Sequence, residues 1–470
     1  MDISNSQNTS AALADLRSPV GEAATLAPSA ESPSAEFALP ASKRPLTTGD
    51  YKTLALAALG GALEFYDFII FVFFAQALGH LFFPPEIPDW LRQLQTYGIF
   101  AVGYFARPLG GMFIAHFGDL LGRKRMFTLS ILMMAAATTG MGLLPVYAEF
   151  GVWAPIALIL LRIVQGAAVG GEIPGAWVFV SEHVPVNRIG FACGTLTAGL
   201  TGGILLGDAV ATTVNSHFTP VEISTWVWRV PFVLGGILGL SSVYLRQMLE
   251  ETPIFREMQE QKALAAELPL KAVVRDHGGA VIVSMLLTWL LAAAIVVIIL
   301  MTPSLLQKMH GVPMATALRA NSVATLCLAI GCITSGAIID RLGAGRFFAF
   351  GSILLGVGAW LFYTEGAAEP SLLLPLYALA GLLVGITAGV PYVMVRAFPA
   401  AVRFSGLSFS YNVAYAIFGG LTPVFVSLLL PLAPLAPLYY LLAVCALSCV
   451  VGLRLWRGEQ RERKESLSRA

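Results

Sequence analysis

Long apolar runs alternate with short polar segments along most of this chain. A helix needs about 20 predominantly apolar residues to cross the hydrocarbon core of a membrane, so each run is a candidate span. The runs lie at 51–79, 95–117, 125–144, 153–180, 190–214, 227–246, 278–302, 316–338, 346–363, 371–395, 405–430 and 432–456. The pattern therefore predicts an all-α membrane protein with twelve transmembrane helices.

The polar segments divide the chain further. Residues 1–48 are rich in Ser, Ala, Pro and Glu and lack a continuous apolar stretch, which predicts a disordered N-terminal tail and not a signal peptide. A charged stretch at 247–276 separates the first six runs from the last six and is predicted to be a cytosolic connector. We therefore expect an N-terminal six-helix bundle at 49–246 and a C-terminal six-helix bundle at 277–456, followed by a tail at 457–470.

Composition narrows the function. Only 12% of the 470 residues are charged and 57% are hydrophobic, whereas about 25% of the residues of a soluble domain are charged. The formal net charge of +1 gives no sign of a nucleic-acid partner. No Cys or His spacing suits a metal site, and nothing resembles a nucleotide-binding loop. These features favour a membrane protein, and we predict that it is not an enzyme and that it has no cofactor, no metal and no evident obligatory protein partner.

Basic residues indicate the orientation, because cytoplasmic loops carry an excess of Lys and Arg. If both termini are cytoplasmic, most of the 29 Lys and Arg residues fall in cytoplasmic segments. The exceptions in outer loops are Arg92, Arg229, Lys308 and Arg319. We predict a multi-pass protein of the cell inner (plasma) membrane with both termini cytoplasmic.

An internal repeat relates the two halves. The sequence Asp119-Leu-Leu-Gly122-Arg123 follows the second run, and a similar segment with Asp340 and Gly343 follows the eighth. A second pair of similar segments lies after runs four and ten. The repeat predicts two pseudo-symmetric six-helix bundles with a site between them near the middle of the membrane.

Four charged residues fall inside the predicted spans. Glu64 and Asp67 are three residues apart, which places them on one face of a helix, about 20–24 Å into the first span. The same count places Arg107 about 18 Å and Arg162 about 14 Å into theirs. An ionised side chain at such depth costs on the order of 2.5 kcal/mol or more, so these residues should face a protein interior or a water-filled cavity. We expect the four opposite charges to meet in one layer.

Two interpretations of this layer remain open. It could be a structural lattice of ion pairs that holds the N-terminal bundle together. Alternatively, at least one carboxylate exchanges its Arg partner for a proton while an anionic substrate takes the Arg, because losing a nearby cation favours the protonated acid. The second interpretation is symport in electrostatic terms.

Several segments resemble known carriers. The loop after the second run resembles the major facilitator superfamily motif G-x-x-x-D-R-x-G-R-[RK] in its D-x-x-G-R-[RK] part. Over about residues 50–456, five motifs in order resemble the metabolite:proton symporter family, with departures at Gly61, Phe65 and Pro174. They are Glu64-Phe-Tyr-Asp67-Phe, Ala106-Arg107-Pro108-Leu-Gly110-Gly111, Arg162-Ile-Val-Gln165-Gly166 with Gly170-Gly171-Glu172, Glu251-Thr252-Pro253-x-Phe255, and Tyr411-Asn412 with Gly419-Gly420.

The resemblance implies the major facilitator fold and proton-coupled symport by alternating access. We predict a small organic acid (a mono-, di- or tricarboxylate) as the substrate, with Glu64 and Asp67 carrying the proton. The predicted substrate-binding residues are Arg107, Arg162, Tyr66, Gln165, Tyr411 and Asn412. The predicted gating residues are Asp119, Arg123, Arg125, Glu172 and Asp340.

Three alternatives remain. A zwitterionic osmolyte such as betaine or proline would also suit buried charges, but the tail after Arg457 is shorter than the coiled coil that family osmosensors often carry, so we favour organic acids. A membrane nutrient sensor that does not transport is more remote. An intramembrane aspartyl protease would need Gly-x-Gly-Asp where Leu205-Leu206-Gly207-Asp208 stands, and Asp208 lies too far from Asp67 in depth.

Overall fold

The computed structural model describes residues 44–121, 123–247, 269–367 and 369–469. Most of the predicted tail at 1–48 and most of the predicted connector at 247–276 lie outside these residues. The described part of the chain consists of helices joined by short loops and turns, without a strand.

Each predicted span overlaps one long helix, and these long helices are numbered here in chain order. The helices are α1 (Thr48–Phe73), α2 (Asp89–Leu121), α3 (Arg123–Leu143), α4 (Trp153–His183), α5 (Ile189–His217), α6 (Arg229–Gln247), α7 (Gly278–His310), α8 (Met314–Leu342), α9 (Ala344–Gly366), α10 (Pro370–Ala397), α11 (Val402–Leu429) and α12 (Ala436–Arg469).

Not every helix is equally apolar. Nine helices in the described residues are each long and apolar enough to cross a membrane. A tenth span results if Pro220–Val227 and Arg229–Tyr244, which meet at 49°, are counted together. The other two predicted spans are the helices α2 and α3, and the apolar part of α3 that the structure describes, Leu129–Leu143, is short.

The first predicted span, 51–79, is not one helix. Thr47 caps α1, because its Oγ1 accepts from the Asp50 backbone while the Asp50 carboxylate accepts from the Thr47 backbone at 2.7 Å. The helix ends at Phe73, and a separate short helix, Ala75–Phe82, follows. The apolar pattern continues across this break, which explains why the sequence alone gave a longer span.

The two halves repeat one pairing of helices. In the N-terminal half, α1 packs on α5, α2 on α4 and α3 on α6. In the C-terminal half, α7 packs on α11, α8 on α10 and α9 on α12. Each pair recurs six helices later in the chain, as expected for two bundles of common origin.

The halves meet along α5 with α8 and along α2 with α11. Glycines allow the closest approach: a Cβ added at Gly190 would lie 2.5 Å from the carbonyl oxygen of Gly336, and one added at Gly336 would overlap the carbonyl oxygen of Gly190. Small residues of this kind let two membrane helices bring their backbones together. The substrate path predicted between the halves is therefore bounded by these helices.

Candidate transport site

Arg162 of α4 lies fully buried against aromatic rings. Its Nη1 donates to Gln165 Oε1 at 2.5 Å and to the carbonyl oxygen of Phe68 at 3.4 Å. Its guanidinium carbon is 4.3 Å from the ring centre of Phe71 and 4.7 Å from that of Phe68. Nε and Nη2 have no hydrogen-bond partner among the described residues. This cation therefore retains two unused donors.

Arg107 of α2 is also fully buried, at the boundary between the two halves. Its guanidinium carbon lies 4.7–5.7 Å from four ring centres, which we call the aromatic cage. The cage consists of Phe68, Tyr104, Tyr411 and Tyr415. Nε and Nη2 of Arg107 have no hydrogen-bond partner among the described residues. The cage draws two rings from each half of the protein.

Glu64 and Asp67 share one face of α1, as their spacing predicts, and both face α6. Glu64 Oε1 accepts from the Ser242 hydroxyl at 2.7 Å. The carboxylate of Asp67 lies against Gly235 and Gly239, since a Cβ at Gly235 would overlap Oδ1 and one at Gly239 would lie 3.1 Å from Oδ2. Asp67 is fully buried, and neither of its carboxylate oxygens has a hydrogen-bond partner among the described residues.

The predicted layer of paired opposite charges is therefore corrected. Asp67 forms no ion pair with Arg107 or Arg162 in the described residues, because its carboxylate points toward α6 while the arginines contact rings on other faces. Counting residues along a helix gives depth but leaves the direction of each side chain undetermined. Cation–π contacts, worth about 2 kcal/mol when desolvated, take the place of the expected ion pairs.

Gln165 connects Arg162 to the segment of α1 that carries Asp67. Its Oε1 accepts from Arg162, and its Nε2 donates to the backbone oxygen of Asp67 at 2.8 Å and to Thr138 Oγ1 at 2.7 Å. One buried side chain thus ties α4 to α1 and α3. Gln165 fixes the position of Arg162 relative to the segment of α1 that carries Asp67.

The other predicted binding residues lie at different places. Tyr66 donates its hydroxyl to the carbonyl oxygen of Pro231 at 2.9 Å, so its polar end is engaged with α6, apart from the arginines. Asn412 Nδ2 donates to the carbonyl oxygen of Gly170 at 2.5 Å, which joins α11 to α4 across the two halves. Of the predicted C-terminal pair, Tyr411 therefore lines the cage and Asn412 joins helices.

Known proteins resemble this chain in sequence. Residues 57–423 match the sequence profile of the Major Facilitator Superfamily. The chain belongs to this superfamily. It is accordingly a secondary transporter and a multi-pass membrane protein.

Named relatives are transporters of this superfamily. The chain is 31% identical over 421 residues to the glycine betaine/proline/ectoine/pipecolic acid transporter OusA of Dickeya dadantii (strain 3937), an alignment that covers 86% of this chain and 82% of the relative. It is 29% identical over 440 residues to the proline/betaine transporter of Salmonella typhimurium, with 88% and 86% covered. Since these relatives are transporters, the expectation of a carrier and not an enzyme is confirmed.

Solved structures show the same fold. The proton:xylose symporter XylE bound to 6-bromo-6-deoxy-D-glucose superposes with a TM-score of 0.71 at 16% identity, covering 87% of this chain and 95% of that one. The transporter FucP in the outward conformation gives 0.62 at 15% identity, with 87% and 98% covered. The predicted major facilitator fold is confirmed.

The structure describes the side chains of two of the five predicted gating residues, Asp340 and Glu172. The Asp340 carboxylate accepts from the backbone N–H groups of Gly190 at 2.7 Å and Phe191 at 2.9 Å, at the start of α5 in the other half. The positive charges of Arg188 and Arg396 also stabilise the negative charge of this carboxylate. The side chains of Asp119, Arg123 and Arg125 lie outside the described residues. Glu172 is buried within α4.

Two contacts between the halves were not predicted from the sequence. Arg403 of α11 forms a buried ion pair with Glu182 of α4 at 3.1 Å. Asp208 of α5 accepts from Ser322 and Asn321 of α8. A signal was present for the first pair, since Glu182 and Arg403 lie near the ends of the two corresponding inter-span segments. Nothing in the local pattern pointed to Ser322 or Asn321.

Proposed function

We propose that this protein takes up a small zwitterionic solute that carries a carboxylate and a substituted ammonium, such as glycine betaine or proline, together with protons. The observation that carries the proposal is the aromatic cage around Arg107. One buried location there offers unused N–H donors and the faces of several aromatic rings. Those are the two features that such a solute requires.

The carboxylate of the solute is assigned to Arg107. A guanidinium presents parallel N–H groups that match a carboxylate, and charge-assisted bonds of this kind are about twice as strong as neutral ones. Nε and Nη2 of Arg107 are the donors without a partner among the described residues. A buried donor without an acceptor costs about 1–3 kcal/mol, which an anionic group would relieve.

The ammonium of the solute is assigned to the ring faces of the cage. Aromatic cages recognise quaternary ammonium groups through the negative potential of the ring face. In the structure the rings of Tyr104 and Tyr415 are stacked with centres 5.5 Å apart, and Trp177 meets the ring of Tyr411 edge-on at 4.9 Å. The solute's ammonium would replace part of the contact that the guanidinium makes with these rings.

The relatives support this substrate class over the organic acid favoured by the sequence reasoning. The Dickeya dadantii relative is named for glycine betaine, proline, ectoine and pipecolic acid, and the Salmonella typhimurium relative for proline and betaine. Tyr104, Tyr411 and Tyr415 add a feature that a simple carboxylate would not need.

An organic acid with more than one carboxylate remains the second candidate, because Arg162 adds another buried cation with unused Nε and Nη2 donors. A di- or tricarboxylate would meet both arginines. With either substrate, we assign the transported proton to Asp67, with Glu64 as the second carboxylate. We also propose that the protein lies in an inner membrane with both termini in the cytoplasm.

Uptake into proteoliposomes with an imposed pH gradient tests the proposal. Radiolabelled glycine betaine and proline should accumulate, whereas succinate and citrate should not. The variant Tyr415→Leu should raise KM for betaine by about tenfold, the size expected for one desolvated cation–π contact. Tyr439→Leu, at an exposed tyrosine, is the matched control. Accumulation of succinate or citrate, but not of betaine or proline, would select the second candidate.

A further inference from the structure

A buried carboxylate outside the transport site joins the two halves. Asp208 of α5 is fully buried and lies about two and a half turns from the His217 end of that helix. Its Oδ2 accepts from the Ser322 hydroxyl, and its Oδ1 accepts from Asn321 Nδ2 at 3.4 Å. Both donors belong to α8 in the other half. We call this group the Asp208 contact.

A second carboxylate joins the same two helices at their opposite end. Asp340 of α8 accepts from the backbone of Gly190 and Phe191 at the opposite end of α5. Thus α5 supplies the carboxylate at one end of the α5–α8 pair, and α8 supplies it at the other. In an alternating transporter, the two ends of such a pair must separate in turn.

The hydroxyl of Tyr377 extends the Asp208 contact from α8 to α7. Tyr377 of α10 lies within hydrogen-bond distance of Asn321 Oδ1 at 2.5 Å and of the carbonyl oxygen of Ile298 at 2.7 Å. A tyrosine hydroxyl has one hydrogen to donate, so it can serve only one of these acceptors at a time. Ile298 lies in a wide π-helical turn of α7, Ile295–Met301. Such turns are frequent at functional sites.

We propose that Asp208 is a positioning residue that holds the His217 end of α5 against α8, and that Tyr377 conveys the state of this contact to the wide turn of α7. While the contact is formed, Asn321 is held by Asp208 and presents its Oδ1 to Tyr377. When the halves separate at this end, Asn321 loses the carboxylate, and the Tyr377 hydroxyl turns to Ile298. The inference requires that the halves rock, as alternating access does, but it does not depend on which solute is carried.

Distances between spin labels test the contact without any substrate. In a cysteine-free background, labels are placed at Ser216 of α5 and Thr316 of α8, both exposed near the relevant end. Asp208→Ala should shift the ratio of long to short distances by about tenfold, as expected for the loss of a hydrogen bond to a charged group. Ser322→Ala should shift it in the same direction, and it carries the test if Asp208→Ala fails to fold.

Two controls sharpen the result. Thr334→Ala removes a hydroxyl of α8 whose hydrogen bonds, among the described residues, stay within its own helix, and Thr213→Ala does the same in α5. Neither should change the distances. Unchanged distances in both Asp208→Ala and Ser322→Ala, or an equal shift in the controls, would overturn the assignment of Asp208.

A second pair of labels tests whether Tyr377 passes a change at Asp208 on to α7. With labels at Thr316 and Gln307, Asp208→Ala should change the distance between α8 and the end of α7. In a Tyr377→Phe background the same substitution should still lengthen the Ser216–Thr316 distance but leave the Thr316–Gln307 distance unaltered. An unchanged response of α7 with Phe at this position would show that Tyr377 is not the relay.

Discussion

Arg403 of α11 donates from Nη1 to Glu182 Oε1 of α4 at 3.1 Å, across the boundary between the two halves. Both side chains are almost fully buried, with 4% and 3% of their surface exposed. The pair lies at the end of the molecule where Asp340 meets the start of α5. Two carboxylates therefore close this end, one through an ion pair and one through backbone N–H groups.

The first prediction concerns this ion pair. Glu182→Ala and Arg403→Ala should each favour separation of the halves at this end, because either change leaves a buried charge without the partner that now compensates it. The double variant should show a coupling of roughly 1–3 kcal/mol, typical of residues in direct contact. The populations are read from distances between labels at Asn187 and Leu342.

A matched control is available on the surface. The ion pair between Arg275 and Asp276 is exposed, and such pairs contribute about 0–1 kcal/mol. Asp276→Ala should therefore leave the Asn187–Leu342 distances unchanged. Strictly additive effects of the Glu182 and Arg403 substitutions would contradict a role for the pair in holding the halves together.

The second prediction concerns Asp340. Asp340→Asn keeps the size of the side chain but removes its charge and one acceptor, so one N–H of Gly190 or Phe191 loses its partner. The N-terminus of a helix favours an anion by about 0.3–1 kcal/mol at exposed sites and up to about 2 kcal/mol when partly buried. Separation at the Asn187–Leu342 end should increase accordingly.

The direction of this change distinguishes the two ends of the α5–α8 pair. Asp340→Asn should lengthen the Asn187–Leu342 distance and shorten the Ser216–Thr316 distance on average, whereas Asp208→Ala should do the reverse. Lengthening at both ends in one variant would indicate a loosened fold and not a shifted equilibrium.

The third prediction uses the close approach of the α5 and α8 backbones. A Cβ at Gly336 would overlap the carbonyl oxygen of Gly190, and backbone cannot yield as a flexible side chain does. Gly336→Ala should therefore keep the helices apart, and uptake should fall by an order of magnitude or more while the protein still inserts. Gly202→Ala, whose Cβ would lie 3.7 Å from Ala62 Cβ, is the tolerated control. Normal uptake by Gly336→Ala would mean that the helices need not approach this closely.

The sequence predicted the spans because the requirement for apolar length is local. Each run marks a helix whatever its neighbours are, and the repeat places Asp340 directly after the eighth run, where the structure has it in the last turn of α8. The spacing of Glu64 and Asp67 also gave their shared face. These features depend on one helix at a time.

Contacts between helices could not be read in the same way. Asp67 and Arg107 have similar predicted depths, yet α1 turns Asp67 toward Gly235 while Arg107 enters a cage with Tyr411 and Tyr415. Which faces meet is decided by packing among distant parts of the chain. The same limit explains why Asn321, an unremarkable residue in an apolar run, was missed as a partner of Asp208.

The fourth prediction concerns the coupling proton. Asp67 is buried, and its carboxylate has no hydrogen-bond partner among the described residues. A charged carboxylate is expensive to bury without compensation, so a group in this position can gain or lose a proton as the halves rock and its surroundings change. Asn has nearly the same size as Asp, but its side-chain amide does not take up a proton at the pH values of a transport experiment. Asp67→Asn should therefore abolish accumulation driven by a pH gradient.

Exchange separates coupling from transport itself, because exchange of labelled for unlabelled solute requires only that the loaded carrier reorients. Asp67→Asn should retain exchange at a rate within about threefold of the parent protein and lose its pH dependence, since the group that titrates is gone. Glu64→Gln is the comparison on the same face of α1, where Ser242 can still donate to the side-chain oxygen. If Asp67→Asn accumulates the solute normally and Glu64→Gln does not, the proton belongs to Glu64. If both variants accumulate normally, neither carboxylate couples transport to protons.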